Sequence, residues 1–482
     1  MTKDNHYVEL LNEILDGNDS GDFVDPSAIP DKYTYEHLLA AFNLADSLDG
    51  GEDLFRQLYH TAMKCCESHV REKAKSGEKL KVAFMSYSAA QWPAELLYRD
   101  MEKDDRFDPY IIVSPLTNRD YNSSMCGYTQ TVDWYKSTNH RIIEGYDIKN
   151  NLVYTWQGLG GIPDIVIHLS SWYECIPEPQ QFIKLPWRCL NIYIPYAMYM
   201  ADSPDSTFEI NDVYNKDIMN LMWKVYIESS AKRLYYEKYQ MLHGENVSFS
   251  GYLKMDEVIQ PKHYSDSMIC KIWCIPKEKR MSEYKRIIIA PHWSVFDEGS
   301  ILFSTFRENA FFWPYLMQKY ADRISFVFKP HPNLRAAAVG TGMFKSYDDY
   351  DVYLKKLNSF RNARTMDESS YIDLFNTSDG IIMDSGSFTA EYLYTHKPAL
   401  FLTRPTQNFN AVGRKAYDSY YHASGRDYAG IEYFIKDVII DGHDQKKSNR
   451  EKVFDDNFNY LKENGKLAHE TIYSELCELL SS

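Results

Sequence analysis

The chemistry of this chain concentrates in residues 369–402, which read SSYIDLFNTSDGIIMDSGSFTAEYLYTHKPALFL. The pattern predicts an amphipathic helix, then an apolar strand over 380–383. A sharp turn at Asp384-Ser385-Gly386-Ser387 leads into a second helix that carries Glu391 one turn in. A strand that ends in small polar residues at a helix start is an anion site in the making. The first N–H groups of a helix have no intrahelical acceptor, the helix dipole is positive there, and Ser385 and Ser387 add hydroxyl donors. The next strand, at 398–402, follows within a few residues, so the unit is expected to be a βαβ crossover in a parallel sheet. Nucleotide phosphates are the first ligands it suggests.

A second group of polar side chains stands upstream in ISFVFKPHPNLR, residues 324–335. An apolar strand delivers Lys329, Pro330, His331 and Pro332 to its carboxyl end, the edge of an open α/β sheet where ligands bind. The prolines stiffen that loop. Lys329 and His331 would then offer a cation and a titratable donor to a pyrophosphate or a leaving group. The plainer reading is that the prolines only end the strand and His331 is a turn residue. APHWS at 290–294 repeats the theme, placing His292 and Ser294 after the strand RIIIA on the same expected edge. The run Asp348-Asp349-Tyr350-Asp351 has the residue types of a divalent-metal site, but carboxylates on a helix face are ordinarily solvated.

The elements that must position these groups follow from the apolar pattern. Residues 1–78 read as helices, with apolar spacing at 7–15, 35–48 and 54–70. From Lys81 strands alternate with helices: KVAFMS, a helix over 93–103, then YIIVS, DIVIHL and NIYIPY. This is the signature of a doubly wound parallel sheet, and it defines a domain over 79–245. A second series, over 246–445, supplies SFSG, RIIIAP, ISFVFKP, GIIMDS and PALFLT as strands. Two α/β halves of similar size would leave a cleft between them. Residues 446–482 read as a charged helical segment.

Composition narrows the function. The 482 residues carry a net charge of −15 with no long basic run, which argues against a nucleic-acid surface because phosphate neutralisation needs clustered Lys and Arg. An anionic substrate must meet a local positive site instead. The 8 cysteines show neither a CxxC pair nor metal-type spacing, so reduced thiols are expected, with no metal or other cofactor. The N-terminus MTKDNHYVELLNEILDGNDSGD is acidic and polar where a signal peptide would be basic and then apolar, and no apolar run approaches the ~20 residues of a membrane span. A cytoplasmic protein is expected, with peripheral docking at the inner membrane face or in a synthase complex open to it. The 39 tyrosines and 9 tryptophans suit stacking on sugars or bases, although core packing accounts for most such residues. The loop SAAQWPAE after the first strand lacks the glycine fingerprint of a dinucleotide site.

Four motifs in order resemble the CDP-glycerol glycerophosphotransferase family, the teichoic-acid primases and polymerases. They are FSGYLKMD at 249–256, IIIAPHWS at 287–294, FKPHP at 328–332 and SDGIIMDSGSFTAEYLYTHKPALFL from Ser378. The resemblance implies a glycosyltransferase-B fold of two Rossmann-like domains facing across a cleft. It implies that the C-terminal half binds the nucleotide end of an activated donor, with His331 near the diphosphate and Asp384, Ser385 and Ser387 around the transferred group. It also implies an acceptor site in the N-terminal half. There the family's polymerases carry a His-Gly pair after a first-domain strand, whereas this chain has Tyr193-Ile194-Pro195-Tyr196. His168, at the end of DIVIHL, is either a substitute base or a buried strand histidine satisfied by a backbone carbonyl.

The expected activity is transfer of a glycerophosphate or similar polyol-phosphate group from a CDP-activated donor to a hydroxyl of a cell-surface glycan, capsule or teichoic-type polymer. His331, His292, Asp384 and His168 are the candidate catalytic residues. Lys329, Ser294, Ser385, Gly386, Ser387 and Glu391 are the candidate donor-binding ones. A nucleotide-sugar glycosyltransferase and a non-catalytic polymer-binding scaffold stand as the alternatives.

Overall fold

The computed structural model describes residues 33–203, 207–276, 283–299, 301–366 and 371–481. The helix expected at 7–15 lies outside them, as do residues 369 and 370. The chain forms two compact units. The first takes the described parts of Met1–Tyr196, Ile210–Leu253 and Glu463–Ser482; the second takes those of Ala197–Glu209 and Lys254–Lys462.

In the first unit the strands are β1 Leu80–Ser86, β2 Phe107–Val113, β3 Ile142–Glu144, β4 Ile165–His168, β5 Leu190–Tyr193, β6 Lys224–Ile227 and β7 Val247–Phe249. They form one parallel sheet in the order β3-β2-β1-β4-β5-β6-β7. The helices expected at 35–48 and 54–70 are present as Tyr35–Ala45 and Gly51–Lys75. They are pinned to this sheet: the Tyr35 hydroxyl donates to the Cys189 carbonyl at 2.9 Å, and Lys73 pairs with Asp164 at 2.8 Å. The C-terminal segment is helical as expected, over Lys447–Asn457, Tyr460–Asn464 and Ala468–Ser481.

The second unit holds β8 Lys285–Ala290, β9 Ile324–Phe328, β10 Ala363–Thr365, β11 Gly380–Met383, β12 Ala399–Thr403 and β13 Tyr421–Ser424. The sheet is again parallel, in the order β10-β9-β8-β11-β12-β13. Every residue of β9 and β11 is buried. Successive residues of a strand point to opposite faces, so both faces of this sheet are covered, and that is why the sequence reads as unbroken apolar runs. Ile287, Ile289, Phe326, Phe328, Trp313 and Leu334 form the centre of its core. At Gly380 a Cβ would meet the Cδ1 of Ile439 at 2.4 Å and the Pro398 carbonyl oxygen at 3.2 Å, so a larger residue there would push the Ile439 side chain of the segment Phe434–Ile440 aside.

The two parallel sheets and the N-terminal helices are the α/β architecture read from the sequence. One strand is reassigned. SFSG was expected to open the second series, but β7 pairs with β6 and closes the edge of the first sheet. Strands β3, β6, β10 and β13 were not picked out, because edge or near-edge segments of 3 or 4 residues have no sustained periodicity. Among the described residues no helix is long and apolar enough to cross a membrane.

Candidate active site at the carboxyl edge of the second sheet

In an open parallel sheet the strand order reverses direction at one point, and ligands bind in the crevice outside the carboxyl ends of the strands there. In the second unit that point lies between β8 and β11. Their register sets Ala290 opposite Met383, so Pro291-His292 and Asp384-Ser385 leave the sheet side by side. On the other flank of β8, Ile289 lies opposite Phe328. The pairing continues past the strand ends, with Lys329 N–H donating to the Ile289 carbonyl at 2.8 Å and His331 N–H to the Pro291 carbonyl at 3.1 Å. Three loops that are far apart in sequence therefore emerge together.

The two histidines are held in the same way. The Nδ1 of His331 accepts the Asn333 N–H at 3.1 Å. The Nδ1 of His292 lies 2.7 Å from the Ser294 hydroxyl and 3.3 Å from the Ser294 N–H. The Ser294 hydroxyl oxygen already accepts the Phe303 N–H, so its own proton points to His292. With Nδ1 an acceptor in both rings, the hydrogen-bond network assigns the ring proton to Nε2. Burial, and secondarily the charge of Lys329, depress the His331 pKa to about 4. Burial and then His331 hold His292 well below the ordinary histidine value. At neutral pH the empty site thus carries two uncharged imidazoles, each with an Nε2–H for a ligand.

Asp384 organises these loops from beneath. It is buried, and its oxygens accept the His292 N–H at 2.5 Å, the Thr305 N–H at 2.6 Å and the Thr305 hydroxyl at 2.8 Å. Burial outweighs these hydrogen bonds and raises its pKa to about 6. Its partners are thus the loop backbone and the Thr305 side chain. Next to it Ser385 and Ser387 flank Gly386 at the start of the helix Gly386–Glu391, and Ser385 makes no side-chain capping bond.

Glu391 is fully buried and accepts a hydrogen bond from the Tyr371 hydroxyl. Its pKa rises to about 6 because burial exceeds the opposing pull of Lys254 and Tyr371. Lys254 was not singled out in the sequence, although it stands in the FSGYLKMD stretch. No local pattern marks it, since its neighbours Tyr371 and Glu391 lie more than a hundred residues away in sequence. The Asp348–Asp351 run lies on the helix Tyr347–Asn358, where Asp351 pairs with Arg335 at 2.7 Å. Among the described residues no cluster of three His, Cys, Asp or Glu side chains is arranged to hold a metal ion.

In the first unit His168 belongs to the core. It is 2 % exposed, its Nε2 lies 2.9 Å from the Asn191 side-chain oxygen, and its Nδ1 is buried without a partner. Burial lowers its pKa to about 4. It is a buried strand histidine whose partner is the Asn191 side chain rather than a backbone carbonyl. The same unit places Trp172 and Lys216 together after β4, with the ammonium 3.9 Å from the indole centroid and 3.1 Å from Glu174.

No protein-family model and no curated protein matches the chain. Solved structures do. The wall teichoic acid polymerase TagF is 12% identical, with 93% of this chain and 94% of that chain covered and a TM-score of 0.53. A variant of TagF with a histidine replaced by alanine is 12% identical over 93% of this chain and 95% of its own, again with a TM-score of 0.53. A histidine-to-asparagine variant is 11% identical over the same shares, with a TM-score of 0.52. The chain shares the glycosyltransferase-B fold of these structures.

Proposed function

We propose that this protein is a transferase that moves a glycerophosphate or similar polyol-phosphate group from a CDP-activated donor to a hydroxyl of a cell-surface polymer. The observation that carries this reading is the convergence of His292, His331 and the Asp384–Ser387 turn at the reversal point of the second sheet. The fold it shares with a wall teichoic acid polymerase supports it.

In this reading the donor's diphosphate lies against the serine turn and the two Nε2–H groups. The acceptor hydroxyl attacks the distal phosphorus and gives up its proton to water, the bond from that phosphorus to the bridging oxygen breaks, and CMP leaves. Little covalent chemistry falls to the protein, and its contribution is positioning and charge stabilisation. A diphosphate beside His331 raises the pKa of that ring from about 4, because an adjacent anion favours the imidazolium. The site then gains a positive charge as the leaving phosphate gains a negative one.

A nucleotide-sugar transferase is the second reading. It is favoured by Tyr193-Ile194-Pro195-Tyr196, which stands where the resembling polymerases carry a His-Gly pair. The two reactions release different nucleotides. Incubation with CDP-glycerol, or with UDP-sugars, and a polyol-phosphate or glycan acceptor is followed by chromatography of the nucleotide. CMP is the expected product. A nucleoside diphosphate would install the sugar reading, and no product from any donor would leave the non-catalytic scaffold.

A further inference from the structure

The segment from β7 to Lys254 passes through a turn at Gly251, whose φ is +89°. That turn sends Lys254 into the second unit, where only 7% of it is exposed. Its ammonium lies 4.1 Å from the centroid of the Tyr371 ring. Tyr371 in turn donates its hydroxyl to Glu391, which sits at the end of the helix that begins with the serine turn. Lys329, 6% exposed, leaves β9 two residues before His331. Lys254, on the short turn Leu253–Met255, is thus linked through Tyr371 and Glu391 to the helix that begins with the serine turn, and lies within electrostatic reach of Lys329.

As a stabilising device this arrangement is poor. Burial, with the like charge of Lys329 adding to it, lowers the Lys254 pKa to about 8 despite the attraction of Glu391. A buried cation is costly to desolvate, and a second cation acting on it adds to that cost. A bound dianion would reverse that cost, since each ammonium would then face opposite charge in a low-dielectric site. We propose that Lys254 is a positioning residue which, with Lys329, takes the diphosphate of a nucleoside diphosphate-linked donor, so that the site selects diphosphates over monophosphates. Glu391 and the Tyr371 ring hold the Lys254 ammonium in place when the site is empty. The inference rests on the transferase reading and adds a residue and a selectivity to it.

Calorimetric titration of the full chain with CDP, UDP, CMP, UMP and cytidine tests it. Lys254→Met should weaken the better-bound nucleoside diphosphate by roughly tenfold or more, the loss expected for one charge-assisted contact, and shift the monophosphate by less than about threefold. Lys254→Arg should recover most of the diphosphate affinity. Equal losses for CDP and CMP, or none, would overturn the role of Lys254, whereas a wild-type protein that binds none of these nucleotides would overturn the transferase reading itself. If Lys254→Met does not fold, displacement of bound nucleotide from the wild type decides. Inorganic pyrophosphate should compete at a concentration at least about tenfold below that of inorganic phosphate, and equal competition rejects the diphosphate site.

Discussion

The imidazoles of His292 and His331 meet edge to face, with centroids 5.4 Å apart and ring planes at 63°, although they leave different strands. Protonation of either ring is disfavoured by burial and by its surroundings, and both are fixed through Nδ1. A pair held neutral at the reversal point of a parallel sheet is suited to receive an anion and to become charged only when one arrives.

His331→Ala should lower transfer by at least roughly a hundredfold, the usual contribution of a positioned acid or charge donor, while the thermal melt stays close to that of the wild type. Steady-state rates with saturating donor measure this. A variant that turns over at near the wild-type rate would leave His331 a loop residue.

Nucleotide binding should take up protons. The His331 pKa starts at about 4 and rises when a diphosphate binds, so binding strengthens as the pH falls from 7 toward 5. Calorimetry of CDP binding in buffers of different ionisation enthalpy counts the protons, and the count should drop in His331→Gln.

Asp384→Asn replaces an acceptor of three hydrogen bonds by a group that turns an N–H₂ toward one of those donors. A loss of about 1–3 kcal/mol is expected in denaturant unfolding at neutral pH. The folded-state pKa of Asp384 is raised to about 6, so its stabilising proton is bound below the unfolded value near 3.8 and lost as the pH rises through 6. The wild type should therefore gain stability between pH 6 and 4 that the variant lacks. Because the His292 loop hangs from this carboxylate, rate should fall more than nucleotide affinity.

Ser387→Ala should weaken nucleotide binding more than stability, since Ser387 lies in the first turn of the helix, whose N-cap is Ser385, and its loss removes no cap. Titration with CMP and CDP is decisive, and unchanged affinity for both would remove the serine turn from the phosphate site.

His168→Gln tests the placement of that histidine in the core. Its folded pKa of about 4 lies below the ordinary 6.5, so the unfolded chain binds the proton more tightly and stability is lost as the pH falls through 6.5 toward 4. At pH 5 this group should account for about 2 kcal/mol of destabilisation relative to pH 8. The pH dependence of unfolding should flatten by that amount in the variant, and transfer at pH 8 should persist. A collapse of activity with stability intact would return His168 to the catalytic residues.

The sequence by itself determined the elements whose information is local. The run Gly380–Met383, the turn after it and the helix carrying Glu391 are contiguous, and each follows from apolar runs and turn chemistry within a few residues. The strand ends at Ala290 and Phe328 likewise place His292 and His331 on a carboxyl edge before any pairing is known. Which loops become neighbours is a matter of strand order, and no periodicity encodes it. The Asp384 bond to the His292 N–H spans 92 residues and exists only because β8 and β11 pair in one register. Lys254 reaches Tyr371 through a turn off the edge of the other sheet, and β7 belongs to the first sheet because β6, a short strand of ordinary composition, lies beside it. Whether His168 faced a ligand or the core was likewise open in DIVIHL. The Asn191 side chain on the adjacent strand and the burial of Nδ1 came only with the tertiary structure, because the burial of a polar atom depends on what covers it.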